Sequence, residues 1–259
     1  MKLFRLSVIA SLALLFNGFP LHAQQADAPS SKDGDRWRTI ARGGQLYDAW
    51  WKVIPGVKEP KDNHPLWQSQ RTNKRNGSVT WRCKECHGWD YRGKDGAYAT
   101  GSHKTGFAGV WDAAQKKSAD ELVAILKGSI DPKHNFSSVL RSEDMADVAT
   151  FLKSGLVDMM KYVDYKSKKP IGGDSELGKQ LFVACGACHG PDGKKLNFGS
   201  DQKPEYLGTI AKDNPQEFIH KTLVGQPGSE PAMPAALVLG WKMKQVLDVL
   251  AYSQTLPEK

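Results

Sequence analysis

The chain has 259 residues, 25% of them charged, and a formal net charge of +8 that falls to about +6 once Lys2 and Arg5 are removed with a leader. This length allows one or two domains. The modest basicity, with no basic run interleaved with aromatics, speaks against nucleic acid and suits the steering of an acidic protein partner.

Lys2 and Arg5 precede an almost wholly apolar run from Leu6 to Phe16, and Leu21-His22-Ala23 offers a small residue before Gln24. Residues 1–23 read as a secretory signal peptide cleaved near Ala23. The apolar run is short for a membrane span, and nothing later is long or apolar enough, so no stable span is expected after cleavage. An uncleaved leader acting as an anchor is the alternative. Residues 24–35 are small and polar and read as a loose leading segment. After Gly43-Gly44, the spacing of Leu46, Tyr47, Trp50, Trp51 and Ile54 predicts a helix ended by Pro55. An irregular stretch rich in proline and asparagine then runs to Trp81, and its His64 is a poor candidate ligand.

The pentapeptide Cys83-Lys84-Glu85-Cys86-His87 follows, and Cys185-Gly186-Ala187-Cys188-His189 repeats its pattern. C-x-x-C-H reads as a c-type haem attachment: two thiols three positions apart form thioethers to the two vinyl groups, and the adjacent histidine coordinates the iron. Redox or zinc half-sites and, in an exported chain, two disulfides are the rival readings. The histidine after each pair, and the use of all four cysteines, favour haem. Two covalently attached haem c groups are therefore expected, on Cys83, Cys86, Cys185 and Cys188, with His87 and His189 as proximal ligands. Export and haem attachment together point to a bacterial periplasm.

Beyond the first motif, five glycines between Gly93 and Gly109, with Tyr98, Phe107 and Trp111, suggest loops wrapping a flat aromatic object. Arg82 and Arg92 are candidate partners of a haem propionate or ordinary surface arginines. His103 is an alternative ligand. Helices are predicted over 119–127 and 142–153; Met145, a possible sulfur ligand, fills a core position on the second. Residues 157–174 join the halves, and their lysine-, proline- and glycine-rich part reads as a linker. The second half is compressed: a helix over 175–183, the motif, a helix over 215–224, a loop, and a final helix from Trp241 to about Tyr252.

Laying the halves over one another aligns Asp120–Gly128 with Glu217–Gly225 in pattern. Met233 then lies eight residues beyond Gly225, and His134 six beyond Gly128. This places His134 where Met233 stands and predicts His/His ligation of the first haem and His/Met ligation of the second. Softer methionine sulfur would raise the second potential. His220 is left as an ordinary helix residue.

The chain resembles the class I c-type cytochromes, duplicated as in exported bacterial dihaem cytochromes c. Gly178-Lys179-Gln180-Leu181-Phe182, Cys185–His189 with Gly190, and Met233-Pro234 before the final helix carry the resemblance in the second half; the helix from Gly44, Cys83–His87 with Gly88, and Asp144–Leu152 carry it in the first. The resemblance implies an all-α fold of two tandem class I cytochrome c domains, over 36–156 and 175–259, the first enlarged by an insertion and long loops. It implies electron transfer between periplasmic donor and acceptor proteins, with no assigned oligomeric state. The alternative is a dihaem redox enzyme, a sulfur-compound dehydrogenase or peroxidase-like protein with catalysis at the first haem. The sulfur-oxidising relatives use a cysteine ligand, and no fifth cysteine exists here. A haem subunit docked to a larger oxidoreductase through the Trp67 region is a third class.

Overall fold

The computed structural model describes residues 31–259, so the expected leader and its cleavage at Ala23 lie outside the described residues. Among these residues the fold is all-α, its only β pairing being three isolated bridges. The first half carries α1 (Ser31–Ala49), α2 (Cys83–His87), α3 (Trp111–Lys116), α4 (Ala119–Leu126) and α5 (Ser142–Ser154). The second carries α6 (Ser175–His189), α7 (Leu207–Asp213), α8 (Pro215–Val224) and α9 (Met243–Ser253). No helix among the described residues is long and apolar enough to cross a membrane.

Two boundaries correct the sequence reading. α1 begins at Ser31, inside the segment expected to be loose, and runs through Gly43-Gly44 before tightening into a 3-10 turn at Trp50–Lys52. Its glycines are where other helices come close: a Cβ on Gly43 would strike the Asp147 carbonyl oxygen and Phe151 of α5, and one on Gly44 would lie 2.6 Å from Val224 of α8. α6 likewise does not stop near residue 183 but continues through the second motif to His189. The Asp174 side chain starts it by accepting the backbone N–H groups of Glu176 and Leu177 at 2.9 and 3.1 Å.

The same crossing occurs twice. α1 packs on α5 at Gly43, and α6 packs on α9 at Gly178, whose added Cβ would strike the Asp248 carbonyl and Tyr252. One turn further along, Tyr47 meets Phe151 with ring centres 5.8 Å apart, and Phe182 meets Tyr252 at 5.2 Å. From Gly43 to Cys83 is 40 positions, whereas Gly178 to Cys185 is 7; the difference is an insertion threaded between crossing and motif. Gly43→Ala and Gly178→Ala are each expected to cost about 1–3 kcal/mol through overpacking, seen as a thermal midpoint lower by several degrees. Gly34→Ala, which meets nothing within 4 Å, is the control and should not lower it.

α1 also packs on α8, which joins the halves directly. Gln45 Nε2 donates to the Val224 carbonyl at 2.7 Å, and Lys221 Nζ lies 2.7 Å from the Asp48 carboxylate. His220, expected to be unremarkable, is buried between the Tyr91 hydroxyl at 2.9 Å and the Gly44 carbonyl at 3.1 Å. Residues 157–174 are not a loose tether either. Met159 and Val163 are buried, the Tyr165 hydroxyl donates to Asp90 at 3.0 Å, and Gln254 Nε2 donates to the Lys168 carbonyl at 2.7 Å.

Candidate functional site

Both C-x-x-C-H motifs are helical and end on the same turn. Gly88 has φ 80° and ψ 159°, and Gly190 has φ 82° and ψ 156°. A side chain is strained at such φ values, so glycine after the histidine is a backbone requirement. The chain then folds back onto the histidine carbonyl: the Gly93 N–H donates to His87 at 2.8 Å and the Lys195 N–H to His189 at 3.0 Å. No disulfide joins the four cysteines. Burial pushes the Cys83 thiol up to about 12 and raises Cys86 and Cys185 as well, the mark of sulfurs set in apolar surroundings.

His87 and His134 meet at the first motif. Their ring centres lie 6.2 Å apart and the planes are inclined by 79°. His87 Nδ1 is 2.7 Å from the Ala108 carbonyl, and His134 Nδ1 is 3.2 Å from the Ile125 carbonyl at the end of α4. Each carbonyl can only accept, so each Nδ1 carries the proton and each Nε2 keeps its lone pair for a metal. Burial lowers both imidazoles, His87 to about 4 with the neighbouring His134 adding to the effect, which keeps them neutral. With metal–nitrogen bonds of about 2 Å, and each ring centre about 1 Å behind its nitrogen, one metal between two imidazoles sets their centres roughly 6 Å apart. The observed spacing fits. Cys83, Cys86, Trp81 and His64 line the same cavity as the two histidines. Among the described residues no three His, Cys, Asp or Glu side chains converge as a bare metal would need.

The remaining first-half candidates are occupied elsewhere. His103 Nδ1 is 3.2 Å from the Glu85 carboxylate and Nε2 is 3.0 Å from Arg75, with its ring stacked on Tyr98, so it does not reach the motif histidine. Arg82 pairs with buried Asp48, and Arg92 pairs with Asp158 at 2.9 Å and lies over Trp111. Each arginine of the propionate expectation is thus paired with a carboxylate, although Arg92 Nε is buried without a partner among the described residues. Met145 is buried on α5, in the core as its helix position suggests.

Glu85, a variable position inside the motif, is a residue that spacing alone could not single out. It is fully buried, bonded to Lys84 at 2.7 Å and to Asn73 Nδ2 at 2.7 Å. Burial raises its carboxyl, but His103 and Lys84 outweigh that and hold it well below the usual carboxylate range. It thereby ties the insertion (Asn73) and the glycine-rich loop (His103) to the motif. The corresponding Ala187 is small and exposed, and the second half has no such insertion to anchor.

The returning loops are alike in both halves. Gly128 has φ 84° and Gly225 has φ 86°, each just past the helix, α4 or α8, that precedes the distal candidate. A Cβ on Gly128 would lie 3.0 Å from Asn135, next to His134, and one on Gly225 would lie 2.7 Å from the Met233 carbonyl. Met233 is half-buried, outside the packed apolar core of the described residues, with its N–H bonded to Ser229 Oγ at 2.9 Å. His189 is half-buried, its pKa lowered by burial, and no hydrogen bond or ring contact links it to Met233 among the described residues.

The Cytochrome c family model matches residues 175–257, covering the second motif and Met233; Cys83–His87 lies outside that match. No curated protein and no solved structure matches the chain. Residues 175–257 are thus a haem c-binding cytochrome c domain, suited to electron transfer, within a fold that is all-helical among the described residues.

Proposed function

We propose that the protein is an exported, periplasmic dihaem cytochrome c that passes electrons between a donor and an acceptor protein. The observation that carries this reading is the facing pair His87 and His134, 6.2 Å apart and both anchored through Nδ1, beside Cys83 and Cys86 in one cavity. The repeated glycine-centred helix crossing supports a second cytochrome fold over 36–156 in front of the one at 175–257. Cys83 and Cys86 would hold one haem, with His87 and His134 offering nitrogens to its iron; Cys185 and Cys188 would hold the other, with His189 and Met233. Each haem, when bound, supplies a one-electron ferric/ferrous couple.

The chain's own residues do the rest. The carbonyls of Ala108 and Ile125 orient the two imidazoles and increase their basicity as ligands. With His87 and His134 both offering a nitrogen, the first site would leave no place for a substrate, which favours electron transfer over the enzyme reading. Trp81, Phe107 and Phe136 line the cavity and exclude water, and the α1–α8 contact holds the two sites in a fixed relation. The Met233 thioether favours the ferrous state and makes the second site the higher in potential.

Intact mass and pyridine haemochrome measurements on the exported protein test the proposal. The expected result is two covalently bound haems and two one-electron steps in a redox titration; a single haem overturns it. Met233→His should lower the second-site midpoint by at least a tenfold change in the redox equilibrium, about 59 mV for one electron.

A further inference from the structure

A fully buried polar atom at the cavity of Cys83 and Cys86, apart from the two nitrogens that His87 and His134 offer a metal, has no partner among the described residues. His64, from the insertion, is 5% exposed; its Nδ1 accepts the Leu66 N–H at 3.2 Å, and its Nε2 is buried with no partner among the described residues. The ring is held between Phe136, stacked at 5.1 Å, and Trp81, edge-on at 4.6 Å. A neutral imidazole that accepts at Nδ1 carries its proton on Nε2. The orphan is therefore a donor with no lone pair for iron, although His134 is only 6.4 Å away. A buried donor left unpaired is unfavourable, so whatever fills the cavity should present an acceptor there.

A haem c joined to both cysteines has spent its vinyl groups, and the polar atoms left at its rim are the two propionate carboxylates. Arg82 and Arg92, the side chains that the sequence suggested for them, are paired with Asp48 and Asp158. On its other side His64 borders a cleft lined by Arg71, Lys74 and Arg75; Arg75 already pairs with Glu85 at 3.5 Å, so Arg71 and Lys74 supply the field that favours an ionised carboxylate nearby. We propose that His64 donates from Nε2 to a propionate of the haem held by Cys83 and Cys86, acting as a positioning residue that tunes its potential. This rests on the dihaem reading above.

The test compares His64→Phe and His64→Leu, which remove the donor, with His64→Gln, which keeps one, in the full haem-loaded chain. An unopposed carboxylate stabilises ferric iron, so losing the donor should lower the first-site midpoint by up to about tenfold in the redox equilibrium, about 59 mV. The propionate bending band in resonance Raman should shift in either donor-less variant and be restored in His64→Gln, with the low-spin signals of both haems retained. One folded donor-less variant suffices. An unmoved potential and band, or equal shifts with and without the donor, overturn the proposal. Loss of a low-spin signal in His64→Gln also overturns it, by making His64 a ligand. Finding one haem in the wild type would instead overturn the dihaem reading, which the haem count separates from the His64 result.

Discussion

Replacing His134 with alanine is expected to convert one of two low-spin ferric signals to high spin in low-temperature EPR, leaving the other unchanged. The reason is local. His134 is presented on a short 3-10 turn, Pro132–His134, that Asp131 caps, and its Nδ1 is held by the Ile125 carbonyl. No other imidazole is placed to substitute: His103 is engaged by Glu85 and Arg75, and the free nitrogen of His64 carries a proton. His134→Met should stay low-spin and raise the first midpoint by at least a hundredfold in the redox equilibrium, about 120 mV at 59 mV per tenfold, because a thioether favours ferrous iron. A wild-type protein with a high-spin first haem would remove His134 from the ligand set and return weight to catalysis at that site.

Asp48→Asn is expected to be the most destabilising single exchange at the contact between halves. Asp48 is 1% exposed and lies between Arg82 and Lys221, one from the first half and one from α8. Removing its charge leaves two cations facing each other beside Trp89, whose ring already has both within 5.6 Å. Breaking a buried pair in this way costs about 3–5 kcal/mol, which for a chain of this size lowers the thermal midpoint by on the order of 10 °C. Lys221→Met should cost less, since Arg82 still neutralises Asp48.

The same group sets an acid limit. Burial alone would raise the Asp48 carboxyl, but Arg82 and Lys221 outweigh it and hold it below the usual carboxylate range. A folded-state value below the unfolded one means the stabilisation is present above the unfolded value, about 4, and is lost as pH falls through and below it. Denaturant midpoints measured between pH 7 and pH 3 should therefore fall more steeply in the wild type than in Asp48→Asn. Parallel curves would show that Asp48 is not the responsible group.

Local pattern was enough for much of this protein. Apolar spacing placed α4, α5, α8 and α9 to within a few residues, because each buries one face against a core and that face has the helical period. The two C-x-x-C-H runs stand out for a similar reason, since five adjacent residues supply thiols and imidazole without help from the fold, and the family match covers the second of them. Overlay of the halves singled out His134 and Met233, since a glycine that ends a helix and lets the next loop return leaves the same mark twice, at Gly128 and Gly225. The start of α1 was not legible, because its glycines read as a break until α5 and α8 are seen packed against them. Neither were the partners of Arg82 and Arg92, the burial of Glu85, or the lone N–H of His64. The arginine partners and the burial of Glu85 depend on groups brought from 12 to more than 60 positions away, as with Asn73 to Glu85 or Arg92 to Asp158. Sequence spacing records only contacts that recur within an element; which charge is neutralised and which donor is left over is decided when distant segments exclude water from the same volume.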